Sequence, residues 1–295
     1  MPSWRAKVRR KFGACCFSVA LFAIYSCGGP DRGDDRIDRM EFAEDEALDD
    51  GVADTAMESI PRIRVPSRPK ARNQALARPQ WTDVSLPAPR CANQADRDGP
   101  SRSLGQVTGG SLHSPCRIAA LGPGYLSSNK NGFGTDETIA LLQWAAAQMA
   151  AQFPGKSPLV IGAISKSDGG HYPPHKSHQS GRDVDIGYPR SDNDVLKTFA
   201  KTTSGTLDTE RLWSLLEALL ASGRMSFVFM DYDLQAALVQ DLRDVGYSDA
   251  QLAPLFQYPA GPNVPKGLVR HASGHADHFH VRFRCPDSDK PDCVE

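Results

Sequence analysis

Seven of the eight histidines in this 295-residue chain fall into two short segments. "HYPPHKSHQSGRDVDIG" (171–187) carries His171, His175 and His178 and then Asp183 and Asp185; "HASGHADHFHVRF" (271–283) carries His271, His275, His278 and His280. Both segments end in an alternating stretch. In a strand, residues i and i+2 point to the same face. His278 and His280 therefore project together, with Phe279 and Val281 opposite, and Asp183 and Asp185 do the same in "DVDIG". A fold that lays these two strands side by side, with His178 on the loop before Asp185 and Gly181 permitting a tight approach, gathers two imidazoles and a carboxylate from distant parts of the chain.

A strand carrying Asp185 beside a strand carrying His280, with His178 on the loop, would offer such a set. Two histidines and one carboxylate with an open fourth position is a zinc arrangement suited to catalysis. Asp183 shares a face with Asp185, and only one of the two is needed as a ligand, so Asp183 reads as a support behind the ligands. Ser177 and Ser180 lie near histidines, but metal ligation accounts for those histidines better than a serine triad does.

The bulk properties bound the setting. A formal net charge of -1 gives no global field for nucleic acid. Arg5, Lys7, Arg9, Arg10 and Lys11 precede an apolar stretch, 12–24, too short to span a bilayer comfortably, as in an export signal. "IYSCGG" then resembles a bacterial lipobox, which implies cleavage before Cys27 and lipid attachment to it. Cys15 and Cys16 leave with the signal. Cys91, Cys116, Cys285 and Cys293 remain, an even number that in an exported chain suggests two disulfides with three possible pairings.

Residues 28–60 hold twelve Asp/Glu against three Arg, and residues 61–90 hold six Arg and one Lys against one Asp. Neither block has apolar periodicity and the second is broken by prolines, so 28–90 is expected to be a disordered charged tether. Residues 91–295 are expected to form one α+β domain with a central, mostly antiparallel sheet flanked by helices. Helices are predicted at 135–153 with Thr135 as N-cap, at 208–223 ending at a glycine, and at 234–246 with Asp231 as a possible cap. Strands are predicted at 158–165, 183–187, 226–230 and 278–284. His171 and His271 are expected in loops. Arg182 and Lys176 are expected either to meet a substrate carboxylate or to form a solvated face.

"SHQSGRDVDIG" together with "HADHFHVRFRCP" resembles the penicillin-insensitive murein endopeptidases, part of the wider group that joins lysostaphin-type peptidases, D-Ala-D-Ala metallopeptidases and the hedgehog signalling domain. "SLGQVTGGSL" (103–112) and "GTDETIALL" (134–142) resemble the family's opening segment and first helix, and the likeness runs over roughly 101–287. The resemblance implies a hedgehog/D-Ala-D-Ala-peptidase-like fold. It implies that His178, Asp185 and His280 hold one Zn2+, that His278 acts as base or transition-state stabiliser, and that His275 assists it. His175 matches a family histidine that can hold a second metal; a contact to substrate, or a part in orienting the site, is the alternative. The implied reaction is hydrolysis of D-alanyl–diaminopimelate cross-links in peptidoglycan, in the periplasm or cell envelope. The family's cysteine after "HVRxRC" favours Cys285 with Cys293, which leaves Cys91 with Cys116.

Two rivals share these residues. A D,D-carboxypeptidase or dipeptidase of the same fold is disfavoured by the full HxxHxH set and by the lack of an obvious glutamate just before the last ligand. A zinc-stabilised wall-binding module without turnover is disfavoured because every candidate histidine is retained.

Overall fold

The computed structural model describes residues 84–295. The predicted export segment 1–27, the lipidation at Cys27 and most of the tether lie outside the described residues.

The strands predicted at 183–187, 226–230 and 278–284 all form. In chain order the strands are β1 (Arg102–Leu104), β2 (Ser111–His113), β3 (Cys116–Arg117), β4 (Leu121–Gly122), β5 (Tyr125–Leu126), β6 (Phe133–Gly134), β7 (Leu159–Val160), β8 (Asp183–Gly187), β9 (Met225–Met230), β10 (Val269–His271) and β11 (His278–Phe283). Among the described residues four α-helices accompany them: α1 (Asp136–Gln152), α2 (Thr209–Ala221), α3 (Tyr232–Asp244) and α4 (Asp249–Leu252). The central sheet has the order β10-β9-β11-β8, with β10–β9 parallel and the other two pairs antiparallel. This is the α+β architecture with a mostly antiparallel sheet.

The helix starts follow from their caps. The side chains of Thr135, Asp208 and Asp231 accept backbone N–H groups of the first turns of α1, α2 and α3, satisfying donors that have no partner inside the helix. One sheet face is apolar. Val184, Ile186, Val228, Met230, Phe279 and Val281 join Leu212, Leu215, Leu219, Leu234 and Leu238 of the helices in the core. Every residue of β8 and β11 is buried, so the polar face of these strands is covered as well. Charges there need partners, and Arg282 supplies one by donating to Asp183 at 2.9 Å.

Several details depart from the sequence reading. The apolar run 158–165 forms a regular strand only at Leu159–Val160. Beyond it the chain bonds on both sides: Ile161 donates to Leu126, while Gly162 donates to Asp185 and Asp185 donates to Ala163. The run is largely apolar because 159–165 is buried on both of its faces. His271 is not a loop residue but ends strand β10. Arg182 is not on a solvated or substrate-facing surface. It is 1% exposed and donates to Ser103, to the Phe283 carbonyl and to the Val294 carbonyl, tying β11 to the chain's end. Leu86 packs against the core and Arg90 exchanges two hydrogen bonds with Gln143 of α1, so contacts with the domain begin before Cys91. The disulfides are Cys91–Cys116 and Cys285–Cys293.

Candidate metal centre

Antiparallel pairing of β8 with β11 sets His280 opposite Asp185 and Arg282 opposite Asp183. The period of two then puts all four side chains on one face. His178 reaches the same place from the preceding loop, where its backbone adopts φ 63°, a left-handed conformation uncommon for a residue other than glycine. Its backbone N–H donates to Asp183 Oδ2 at 2.8 Å, which holds the loop in that conformation.

Three atoms converge. His178 Nε2 lies 3.1 Å from His280 Nδ1 and 3.2 Å from Asp185 Oδ1, and His280 Nδ1 lies 3.2 Å from the same Asp185 oxygen. A tetrahedral ion with bonds of about 2.0–2.1 Å needs donor atoms about 3.3 Å apart, so this triangle fits zinc in size and in donor chemistry. The far nitrogen of each imidazole is already engaged. His178 Nδ1 donates to the Ile164 carbonyl at 2.9 Å, and His280 Nε2 donates to Asp183 Oδ1 at 3.0 Å. Those bonds select the tautomers that leave His178 Nε2 and His280 Nδ1 with lone pairs aimed inward.

The electrostatics agree. Burial alone would raise the Asp183 and Asp185 carboxyls. Arg282 and His280 beside Asp183, and His178 and His280 beside Asp185, instead hold both well below the usual carboxylate range. His280 is pulled the other way: burial would lower it, but Asp183 and Asp185 push it up to about 9. A site that favours positive charge so strongly on one imidazole favours a cation in the same place.

Three further histidines, His175, His275 and His278, lie around this triangle. His175 Nδ1 is 3.9 Å from Asp185 Oδ2, and a donor group of His175, His178 and Asp185 lies within 4.8 Å. The triangle containing His280 is the tighter one. Burial, then the neighbouring His178, lowers His175 to about 4. His278 directs Nδ1 at Asp277 Oδ1, 2.6 Å away, and turns Nε2 toward Asp185, 4.0 Å from Oδ1. The His275 ring lies 4.8 Å from the His278 ring; burial and that neighbour lower it to about 3. Tyr188 pins this segment by donating its hydroxyl proton to the His275 carbonyl at 3.0 Å.

Sequence reasoning passed over three residues that shape the site. Asp277 orients His278, and its signal was an acid directly before HxH. Arg282 neutralises Asp183 and was visible as the cross-strand partner in the alternating pattern. Phe199 stacks on His278 with ring centroids 4.8 Å apart and planes 15° apart, and it comes from a long loop with no local signal. Its ring fills the space where Gly162 and Gly187 lack a side chain: a Cβ there would lie 2.3 Å and 3.2 Å from it.

Comparison with known proteins now bears on this arrangement. Residues 103–215 match the family model described as "Penicillin-insensitive murein endopeptidase", a span that includes His178 and Asp185. The chain is also 26% identical to a protein of Haemophilus influenzae named "Penicillin-insensitive murein endopeptidase", over 70% of this chain and 69% of the relative. Over these spans the chain is similar to the penicillin-insensitive murein endopeptidase family.

Proposed function

We propose that the protein is a zinc-dependent D,D-endopeptidase that hydrolyses D-alanyl–diaminopimelate cross-links of peptidoglycan. The observation that carries this is the triangle of His178 Nε2, Asp185 Oδ1 and His280 Nδ1, with edges of 3.1–3.2 Å, and with His278 beside it. Similarity to the penicillin-insensitive murein endopeptidases supports the substrate.

His178, Asp185 and His280 would hold the ion. Bound there, zinc would polarise the scissile carbonyl and lower the pKa of a water. The chain's own residues divide the rest. Asp277 holds the Nδ1 proton of His278, so His278 Nε2 keeps a lone pair that can take a proton, and in its protonated form it steadies developing negative charge. His275, neutral at physiological pH, adds a polar group next to His278 without adding repulsion. Asp183 keeps His280 in its ligating tautomer. His175, 3.9 Å from Asp185 Oδ2, borders the triangle, where it would meet substrate or form part of a second metal site.

The reading places the enzyme in the cell envelope, exported and held to a membrane by lipid on Cys27. A Cys27→Ala chain should then move from the membrane to the soluble envelope fraction.

Product analysis tests the reaction. Purified cross-linked muropeptide dimers should be converted to monomers, resolved by mass. Release of a terminal D-alanine with dimers intact would sink the endopeptidase reading and favour the carboxypeptidase.

A further inference from the structure

The polar face of the central sheet continues past the histidines. Phe229 of β9 is in register with His280, and its half-buried ring lies 5.5 Å from the His280 ring. Phe227 stacks 6.2 Å beyond it. Arg270 of β10 is in register with Phe229, and its guanidinium lies 4.4 Å over the Phe227 ring. Phe229 thus lies between the metal centre and Arg270, and the buried Phe227 (1% exposed) supports the Arg270 guanidinium from beneath.

Arg270 is unlike the other arginine on this face. Arg282 is neutralised by Asp183 at 2.9 Å. Arg270 donates through Nε to the Gly267 carbonyl at 3.1 Å, and its Nη1 is buried with no hydrogen-bond partner. Among the described residues no carboxylate forms an ion pair with it; burial is the one influence on its ionisation, and it works against the charge. A half-buried guanidinium without an acid is costly, and an anion arriving from outside would complete it. Its planar fork suits a carboxylate in particular. β10 is two strands away from β11, which sets Arg270 roughly 10 Å along the sheet from the metal-ligating strand.

We propose that Arg270 anchors a free carboxylate of the cross-linked peptide, with the half-buried ring of Phe229 lying between that carboxylate and the scissile bond. The inference rests on the reading of the site as a peptidoglycan peptidase. Stem peptides containing diaminopimelate carry free carboxylates near the cross-link, so the substrate class supplies the anion. Arg270 is a binding residue in this account and touches no reacting atom.

The test uses the full-length, zinc-loaded chain and two substrates: muropeptide dimers with free carboxylates, and the same dimers with those groups amidated. The unmodified protein should show KM higher by roughly tenfold for the amidated dimer, with kcat within about twofold, as loss of one charge-assisted contact implies. Arg270→Ala should raise KM by a similar factor for the carboxylate dimer and leave the amidated dimer unchanged, while Arg270→Lys should recover part of the loss. Equal KM for both dimers in the unmodified protein would overturn the anchor, a comparison that needs no variant to fold. An equal rise on both dimers in Arg270→Ala would also overturn it. If the unmodified protein cleaves neither dimer, the endopeptidase reading fails. Calorimetric binding of the two dimers then decides the anchor separately: a tenfold preference for the carboxylate form supports it and equal affinity rejects it.

Discussion

Asp183 receives the Nε2 proton of His280 at 3.0 Å, and its other oxygen receives the backbone N–H of His178 at 2.8 Å. One carboxylate behind the triangle thereby positions two of its three corners. It is fully buried and its charge is balanced by Arg282. Replacing Asp183 by Ala should weaken zinc binding about 10–100-fold, the usual cost of removing a group that orients a ligand. It should also cost about 3–5 kcal/mol of stability by leaving Arg282 buried and unpaired. Competition with a chromophoric chelator reads the first effect and thermal unfolding the second. An affinity within twofold of the unmodified protein would show that Asp183 does not position the ligands.

His278 and Asp277 form a second unit. His278→Ala should lower kcat about 10²–10⁴-fold, as loss of a general base does, with zinc content unchanged. Asp277→Ala should lower kcat less, because His278 remains but its tautomer and orientation are no longer fixed. Steady-state kinetics beside metal analysis checks both, and a His278→Ala protein with full activity would remove the proposed base.

Phe199 packs face to face on the His278 ring. It also fills the space above Gly162 and Gly187. Phe199→Ala should reduce kcat by roughly tenfold through misplacement of His278 while zinc affinity stays the same. Gly187→Ala, which pushes the same ring, should move kcat in the same direction. A drop in zinc content with kcat per bound zinc preserved would show instead that Phe199 supports the ligands.

Gly181 sits at φ 74°, with an added Cβ falling 2.8 Å from Leu112 Cδ2 and 3.1 Å from Gly134 Cα. This is the turn between His178 and β8, and its carbonyl accepts the backbone N–H of Thr135. Gly181→Ala should destabilise the protein by about 1–3 kcal/mol from overpacking alone, with conformational strain in addition. Denaturant unfolding measures it; a change below about 0.5 kcal/mol, the size of an ordinary surface substitution, would mean that the turn relaxes freely.

What was legible in the sequence was what depends on local periodicity. Asp183, Asp185, His278 and His280 could be placed on shared faces because a strand alternates whatever else the fold does. The caps Thr135 and Asp231 follow equally local rules. What was not legible depends on contacts distant in sequence. β10 is three residues long and is defined by parallel pairing with β9, so "VRH" carries no strand signal of its own. Arg182 is a charged side chain beside a histidine motif and reads as functional. Only the folded chain shows its guanidinium inside, bonded to carbonyls near the carboxyl terminus. Phe199 lies in a loop whose sequence does not say where its aromatic ring will land. Asp277 was readable in principle, as an acid one residue from the proposed base.

The most direct test of the central claim is a zinc titration of the full-length chain, stripped by chelator, with dimer-to-monomer conversion followed at each addition. The account predicts no conversion in the stripped protein and full recovery at about one zinc per chain, as three ligands with one open position require. It also predicts no recovery at that stoichiometry in Asp185→Ala or His280→Ala. Undiminished conversion in the stripped protein, or full recovery in either variant at one zinc per chain, would contradict it.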